Sequence, residues 1–250
     1  VDNVLHGRNA SMIMYGQTGS GKTYTMNGVS RLVVEQLFKM SMFLTNVTIH
    51  VSCTQIYINQ LYDLLSASPK HPRGVQIDTR NKSYKAFPQT QLRDVEHALE
   101  LIKTAEGNRA KGSHQLNQFS SRSHSIVCFT ISHLRGKSKL YLVDLAGSER
   151  AKKTKVTGDA FEEGKAVNNS LLSLSKCIQA MADHADYIPA RENLLTWCLS
   201  DCFTGGQVSL VCCCSPAANC DDETRYTLSF ADVARQVKIA RATYEVMKEV

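Results

Sequence analysis

Eight consecutive residues carry the strongest chemical signal in the chain: Gly16, Gln17, Thr18, Gly19, Ser20, Gly21, Lys22 and Thr23. They satisfy the phosphate-loop pattern of Gly, four residues, then Gly-Lys-Thr. Glycines let such a loop curl until successive backbone N–H groups converge on one anion. A helix starting there adds the positive end of its dipole. Lys22 supplies a full charge for the β- and γ-phosphates, and the Thr23 hydroxyl suits Mg²⁺, a hard cation that takes oxygen ligands. The flanks fit. Ser11 to Tyr15 is a short apolar run that reads as a buried strand, and apolar residues at helical spacing follow from Tyr24 to Met42.

Two further strings have the chemistry that a phosphate site needs. Lys139 to Val143 is an apolar strand that delivers Asp144 at its end, the form of a carboxylate that holds Mg²⁺ directly or through water. Gly147 follows three residues later, where a bare backbone N–H can reach a γ-phosphate, and Glu149 lies just beyond. Asn117, Ser120, Ser121, Arg122, Ser123 and His124 put an amide, hydroxyls and a guanidinium into eight residues before another strand. Such a loop can set hydroxyls on Mg²⁺ or on an attacking water. A serine nucleophile activated by His124 is the competing reading, but no nucleophile elbow surrounds these serines.

The elements that must position these strings alternate. Val47 to Ile58, Ser125 to Leu134, Ser138 to Val143 and Val208 to Cys214 read as strands. Val95 to Glu106, Phe161 to Ala182 and Thr224 to Val237 read as helices, the first with Ala98, Leu99, Ile102 and Ala105 on one face. Ser66 to Gly74 reads as a surface loop. The alternation predicts one α/β domain with helices on both faces of a central sheet.

Composition narrows the class. At 250 residues, 43% hydrophobic and 21% charged, the chain can bury a sizeable core and is neither disordered nor low-complexity. No apolar run approaches membrane-spanning length. The nine cysteines include three in a row at Cys212 to Cys214, which suits neither a simple disulfide set nor a zinc site and fits packing residues in a reducing compartment. A net charge of +6 favours a polyanionic partner without naming it.

Taken together, GQTGSGKT, NQFSSRSH and DLAGSE resemble the P-loop, switch I and switch II of the kinesin motor domain. The likeness extends through IYINQLYDLL, AEGNRAKGSHQLN, VNNSLLSLSKCIQAM, YIPARENLLT, CSPAANCDDET and TLSFADVARQVK. It implies a motor domain over residues 1–238, with 239–250 opening a neck or C-terminal extension. It also implies a P-loop NTPase fold: a mostly eight-stranded mixed sheet with three helices on each face, here without its first strands. The implied activity is ATP hydrolysis coupled to microtubule binding and movement, with ATP or ADP and Mg²⁺ bound. The implied partner is tubulin, in the cytoplasm and on the cytoskeleton. Neither nucleic acid nor membrane is implied, and self-association would use regions outside this chain.

The resemblance also assigns roles. Gly16 to Thr23 would cradle the phosphates and Tyr24 would lie against the adenine. Thr23 and Ser121 would bind Mg²⁺, and Asp144 would hold a Mg²⁺-bound water. Thr23 and Asp144 should therefore lie within one ion and its water shell of each other. The Gly147 amide would sense the γ-phosphate. Arg122 and Glu149 would pair when the two switches close and relay a proton, and would stand apart where the switches open, as in ADP or empty states; Asn117, Ser120 and Ser123 would position waters and phosphates. A guanosine-triphosphatase is disfavoured, since no Asn-Lys-x-Asp string occurs.

Departures set further expectations. The P-loop begins at residue 16, far earlier than in the family, so the chain reads as a fragment that exposes a sheet edge. Where the family has Asn-Lys-Ser-Leu, this chain has Asn168, Asn169, Ser170 and Leu171. Leu194 and Trp197 stand where the family has Lys and Arg. Three lost cations predict weaker docking to acidic tubulin, and a microtubule-associated nucleotide-binding module with weak or no motility is the alternative reading. Arg150, Lys152, Lys153, Lys155, Lys165 and Arg191 remain as candidate contacts on one face away from the ATP cleft, while Trp197 reads as a packing aromatic. Gln55-Ile-Tyr-Ile58 replaces the family's Glu-Ile-Tyr-Asn.

Overall fold

The computed structural model describes residues 1–66, 88–111, 120–133, 136–149, 159–203 and 206–237. In chain order they form α1 (Asp2–Leu5), β1 (Ala10–Gly16), α2 (Lys22–Ser41), β2 (Thr48–Tyr57), β3 (Gln60–Asp63), β4 (Thr90–Gln91) and α3 (Val95–Lys111). A 3₁₀ turn at Ser120–Arg122 then leads into β5 (His124–His133) and β6 (Gly136–Asp144). They are followed by α4 (Asp159–Ala182), α5 (Leu194–Cys198), α6 (Ser200–Phe203), β7 (Gln207–Cys213) and α7 (Asp221–Arg235).

One mixed sheet of seven strands runs in the order β3-β2-β5-β6-β1-β7, with β4 also paired to β2. β6, β1 and β7 are parallel, whereas β2, β3, β4 and β5 join by antiparallel pairs. Side chains on a strand alternate between faces, and the burial follows that rule on both sides. Ile13 and Tyr15 of β1, with Tyr141 and Val143 of β6, face a core closed by α4, α5, α6 and α7. Met14, Leu140 and Leu142 face the opposite core, closed by α1, α2 and α3. The α/β expectation and the main strands and helices hold, with boundaries shifted by a few residues; α3 runs on to Lys111.

β7 pairs only with β1 among the described residues, and Val208 to Cys212 are half-buried. The short strands β3 and β4 and the short helices α1, α5 and α6 are too brief to show a period in sequence. The tight β2–β3 hairpin has Ile58 at φ 45° and Asn59 at φ 55°. Two left-handed residues are what a two-residue hairpin turn requires, and a β-branched Ile is a poor occupant of that conformation. The expected loop at Ser66 to Gly74 falls mostly outside the described residues, as does the extension 239–250.

Candidate functional site

The site forms where the carboxyl ends of the parallel strands meet. β1 is flanked by β6 and β7, and Met14 lies in register with Asp144. The chain leaves β1 at Gly16 (φ 148°), whose missing Cβ admits the backbone carbonyl of Cys213. It re-enters a helix through Gly21, which caps α2 at φ 96°. These two conformations explain why glycine is needed there. Between them, Ser20 Oγ donates to the Gln17 carbonyl at 2.8 Å, and the Gln17 side-chain amide donates to Cys220 Sγ at 2.9 Å.

Lys22 is only 6% exposed, and its Nζ donates to the Gln17 carbonyl at 2.7 Å. Burial pushes its ammonium below the ordinary lysine range, while the nearby carboxylates of Asp144 and Glu149 pull it back. A buried cation inside a curl of backbone N–H groups is chemistry for an anion.

Asp144 is 3% exposed at the end of β6. Its Oδ2 accepts from Thr23 Oγ1 at 2.7 Å and from Arg109 Nη1, also at 2.7 Å. Its Oδ1 is buried with no hydrogen-bond partner among the described residues. An orphaned carboxylate oxygen beside a hydroxyl, both hard donors, fits Mg²⁺. Thr23 and Asp144 thus meet as the sequence requires. Arg109 was not anticipated. It lies on α3, 8% exposed, and donates from Nη2 to the Ser123 carbonyl at 2.9 Å as well as pairing with Asp144. Its signal was present: Ala98, Ile102, Ala105 and Arg109 share one helical stripe, and a charge ending a buried stripe needs a partner.

Four successive amides after Asp144 are anchored. Leu145 N donates to the Met14 carbonyl at 3.3 Å, Gly147 N to Ser121 O at 2.8 Å and Ser148 N to Gly16 O at 3.1 Å. Ala146 N donates to His124 Nδ1 at 3.1 Å. The Gly147 amide, expected to sense a γ-phosphate, therefore bonds the switch I backbone in this structure.

Arg122 and Glu149, which the resemblance pairs when the switches close, stand apart in this structure. Glu149 turns back onto the P-loop, where its Oε2 accepts from Thr18 N at 2.8 Å and its Oε1 from the Thr18 hydroxyl. Arg122 instead pairs with Glu163 on α4, whose other oxygen accepts from the Tyr57 hydroxyl. The physical reason is local. The Thr18 N–H is a P-loop donor that takes the nearest carboxylate, while the first turns of α4 bring Glu163 to Arg122. Burial and Glu163 together push the Tyr57 phenol above its ordinary range. Glu163 also had a signal, since it lies four residues before buried Val167 on the inner stripe of α4.

The other expected residues divide three ways. Gly16, Gln17, Thr18, Gly19, Ser20, Gly21, Lys22, Thr23, Ser121, Gly147 and Asp144 converge on the cradle. Tyr24 follows it at 88% exposure, a free ring at the rim. Asn117, the side chain of Ser120, and Arg150, Lys152, Lys153 and Lys155 lie outside the described residues.

On the α4–α5 side, Lys165, Asn169 and Arg191 are exposed as expected. Leu194 is not an outward contact: it is half-buried and packs against the core under α4 and α7, and Trp197 is half-buried too. On β6, Lys139 pairs with Asp201 at 2.6 Å.

A phosphate cradle at the ends of parallel strands, a buried lysine, and a hydroxyl–carboxylate pair define a P-loop NTPase. The chain belongs to the kinesin motor-domain family, whose profile, described as Kinesin motor domain, matches residues 1–237. It is 36% identical over 260 residues to Kinesin-related protein 7 of Dictyostelium discoideum, covering 95% of this chain and 21% of that protein. It is 35% identical over 259 residues to a Kinesin heavy chain of Syncephalastrum racemosum, covering 95% of this chain and 28% of that protein. The chain thus spans less than a third of the length of either relative. Among solved structures, a fast kinesin superposes with a TM-score of 0.82 at 31% identity, over 99% of this chain and 78% of that one. The C-terminal motor and motor homology domain of Kar3Vik1 gives a TM-score of 0.80 at 29% identity, over 93% of this chain and 65% of that one. Kinesin motor domains in general are P-loop ATPases that bind nucleotide with Mg²⁺ and work on microtubules.

Proposed function

We propose that this chain is the ATP-hydrolysing part of a microtubule motor, with residues 1–238 as the motor domain and 239–250 opening a neck. The observation that carries the reading is the cradle itself. Lys22 is held buried within the glycine loop, and Thr23 Oγ1 lies 2.7 Å from an Asp144 carboxylate whose second oxygen has no partner among the described residues.

In this reading, the P-loop amides and Lys22 bind the β- and γ-phosphates of ATP, and Tyr24 lies against the adenine. Thr23, Ser121 and Asp144 would hold Mg²⁺, which supplies charge neutralisation on the phosphate oxygens. Glu149 leaves Thr18 when the triphosphate claims that amide, and Gly147 leaves Ser121. Arg122 leaves Glu163 and meets Glu149, which closes the site, excludes water and carries the proton from the attacking water. Asn117, Ser120 and Ser123 position water and phosphate. These contacts act in the transition state, so they raise turnover more than affinity.

The microtubule side is α4 with the segment around α5, reached through Lys165 and Arg191 and the cations at 150, 152, 153 and 155. In this reading the acidic partner is the microtubule, and the protein works in the cytoplasm on the cytoskeleton. The test is steady-state ATPase of the full-length protein with and without microtubules. Stimulation of roughly tenfold or more, worth about 1.4 kcal/mol of barrier, supports the motor. Hydrolysis that ignores microtubules replaces it with a nucleotide-binding module, and absence of hydrolysis removes the enzyme.

A further inference from the structure

His124 is buried at 2% exposure and belongs to no step above. It opens β5, directly after Ser123, and its ring spans two elements. Nδ1 accepts from Ala146 N at 3.1 Å, two residues past Asp144. The other nitrogen, Nε2, lies 2.7 Å from Ser170 Oγ on α4. The Ser170 hydroxyl is itself committed as a donor, to the Val167 carbonyl at 2.7 Å. The proton positions follow. Nδ1 accepts, so Nε2 carries the hydrogen, and Ser170 Oγ is free to receive it. Every link runs one way: Ala146 N–H to ring, ring N–H to Ser170, Ser170 O–H to the α4 backbone.

The placement is selective. The amides of Leu145, Gly147 and Ser148 bond backbone carbonyls of β1, switch I and the P-loop. Ala146 alone of the four bonds a side chain, and that side chain ends on α4. Ala146 and Ser170 are 1% and 3% exposed, so water cannot replace either bond cheaply. The Arg122–Glu163 pair also reaches α4, but at its first turns and with the arginine side chain 28% exposed. His124 reaches the middle of the helix.

We propose that His124 is a positioning residue that carries the state of the backbone after Asp144 to the middle of α4, so that a change at the nucleotide is felt on the partner-facing helix. This rests on the reading that the cradle binds nucleotide. A tilt of the Ala146 peptide either drags the ring and Ser170 with it or leaves three buried groups unpaired. Moving the peptide alone is therefore costly, and moving it with the ring and Ser170 is the cheaper course.

The experiment is hydrogen exchange of α4 amides in the full-length protein with Mg-ADP and with a non-hydrolysable Mg-ATP analogue. It is run on wild type, Ser170→Ala, His124→Asn and the double variant, with nucleotide affinity and melting temperature measured alongside. Asn keeps an acceptor near Nδ1 but cannot reach Ser170; Ser170→Ala removes the same leg from the other end. In wild type the α4 exchange should differ between the two nucleotides. Each single variant should shrink that difference by roughly 2- to 30-fold, the span of measured effects along coupling chains. Nucleotide affinity should be unchanged. The double variant should lose no more than either single one, because all three cut one leg. A merely structural role would lower the melting temperature and leave the nucleotide response intact. Wild-type-like response in Ser170→Ala, additive losses, or an α4 that ignores nucleotide in wild type would each overturn the proposal. Should Ser170→Ala fail to fold, His124→Asn decides alone by the same criteria. Microtubule-stimulated ATPase of the wild type is measured in parallel. If it fails while α4 still responds to nucleotide, the motor reading falls and the relay stands.

Discussion

The phosphate cradle and the outward face of α4 carry charge under opposite rules. In the cradle, Lys22, Arg109 and Asp144 are all under a tenth exposed, and each is tied to named partners. Buried charge survives only when paired, and removing one partner of such a pair typically costs about 3–5 kcal/mol. On α4, Lys165 and Asn169 face solvent, and Phe161 and Leu172 are half-exposed or more. Exposed ion pairs contribute roughly 0–1 kcal/mol. The cradle therefore cannot drift without unfolding or losing its ligand. The outer face can change sign, residue by residue, with only its affinity for a partner at stake.

The largest effect that would sharpen this contrast is catalytic. Glu149→Ala should lower ATP turnover by about 10²–10³, the range for losing one preorganised transition-state group. Nucleotide affinity should rise rather than fall, because the Thr18 amide loses its competing carboxylate. Equilibrium binding of a fluorescent ADP beside single-turnover hydrolysis separates the two. A parallel loss of binding and turnover would show that Glu149 helps hold the ground state instead.

Acid should strike the buried side next. Burial, helped by the positive charges of Arg109 and Lys22, lowers the His124 pKa to about 3. The folded value lies below the unfolded one, so the contribution is full above about pH 6.5. It is lost as pH falls from there towards 3, because the unfolded chain takes the proton first. The slope from this one group approaches 1.4 kcal/mol per pH unit. Urea midpoints between pH 7 and 4.5 should fall steeply in wild type and flatten in His124→Asn.

On the α4–α5 side, two substitutions that look alike in sequence should part company. Leu194→Lys places charge at a half-buried site against the core and should cost about 1–2 kcal/mol of stability through lost apolar burial. Asn169→Lys is exposed; it should leave the melting temperature alone and tighten microtubule co-sedimentation by about 0.2–1 kcal/mol. That gain should fade as salt rises. If Leu194→Lys binds more tightly at unchanged stability, the helix does not pack as described. The smallest expected effect is at the hairpin, where Ile58→Asn should stabilise by about 1 kcal/mol by relieving a left-handed β-branched residue. Thermal melting checks it.

The same contrast explains which features are legible in the sequence and which are not. Strand β1, the glycine loop and α2 are legible because backbone curvature, phosphate chemistry and apolar period all point one way. The Thr23–Asp144 contact follows from two strings whose chemistry shares one ion. Arg109, Tyr57 and Glu163 were missed because their partners lie on other elements, so spacing alone does not name them. Where Arg122 and Glu149 rest when apart is not legible for a related reason: each carries a charge with more than one partner within reach, and sequence does not rank them. Leu194 reads as a lost surface cation, whereas its environment comes from how α5 folds under α4.

The central claim is that the cradle is built to hold a Mg-nucleotide on Lys22. Calorimetric titration of ADP and of a non-hydrolysable ATP analogue into wild type and Lys22→Ala, with Mg²⁺ and with chelator, tests it directly. Wild type should bind in a Mg²⁺-dependent manner. Lys22→Ala should lose at least about a hundredfold in affinity, the order of one charge-assisted contact in a buried site. Melting temperature is measured alongside, so that the loss of binding is read on the folded variant. Equal binding by Lys22→Ala, or binding indifferent to Mg²⁺, would contradict the central claim.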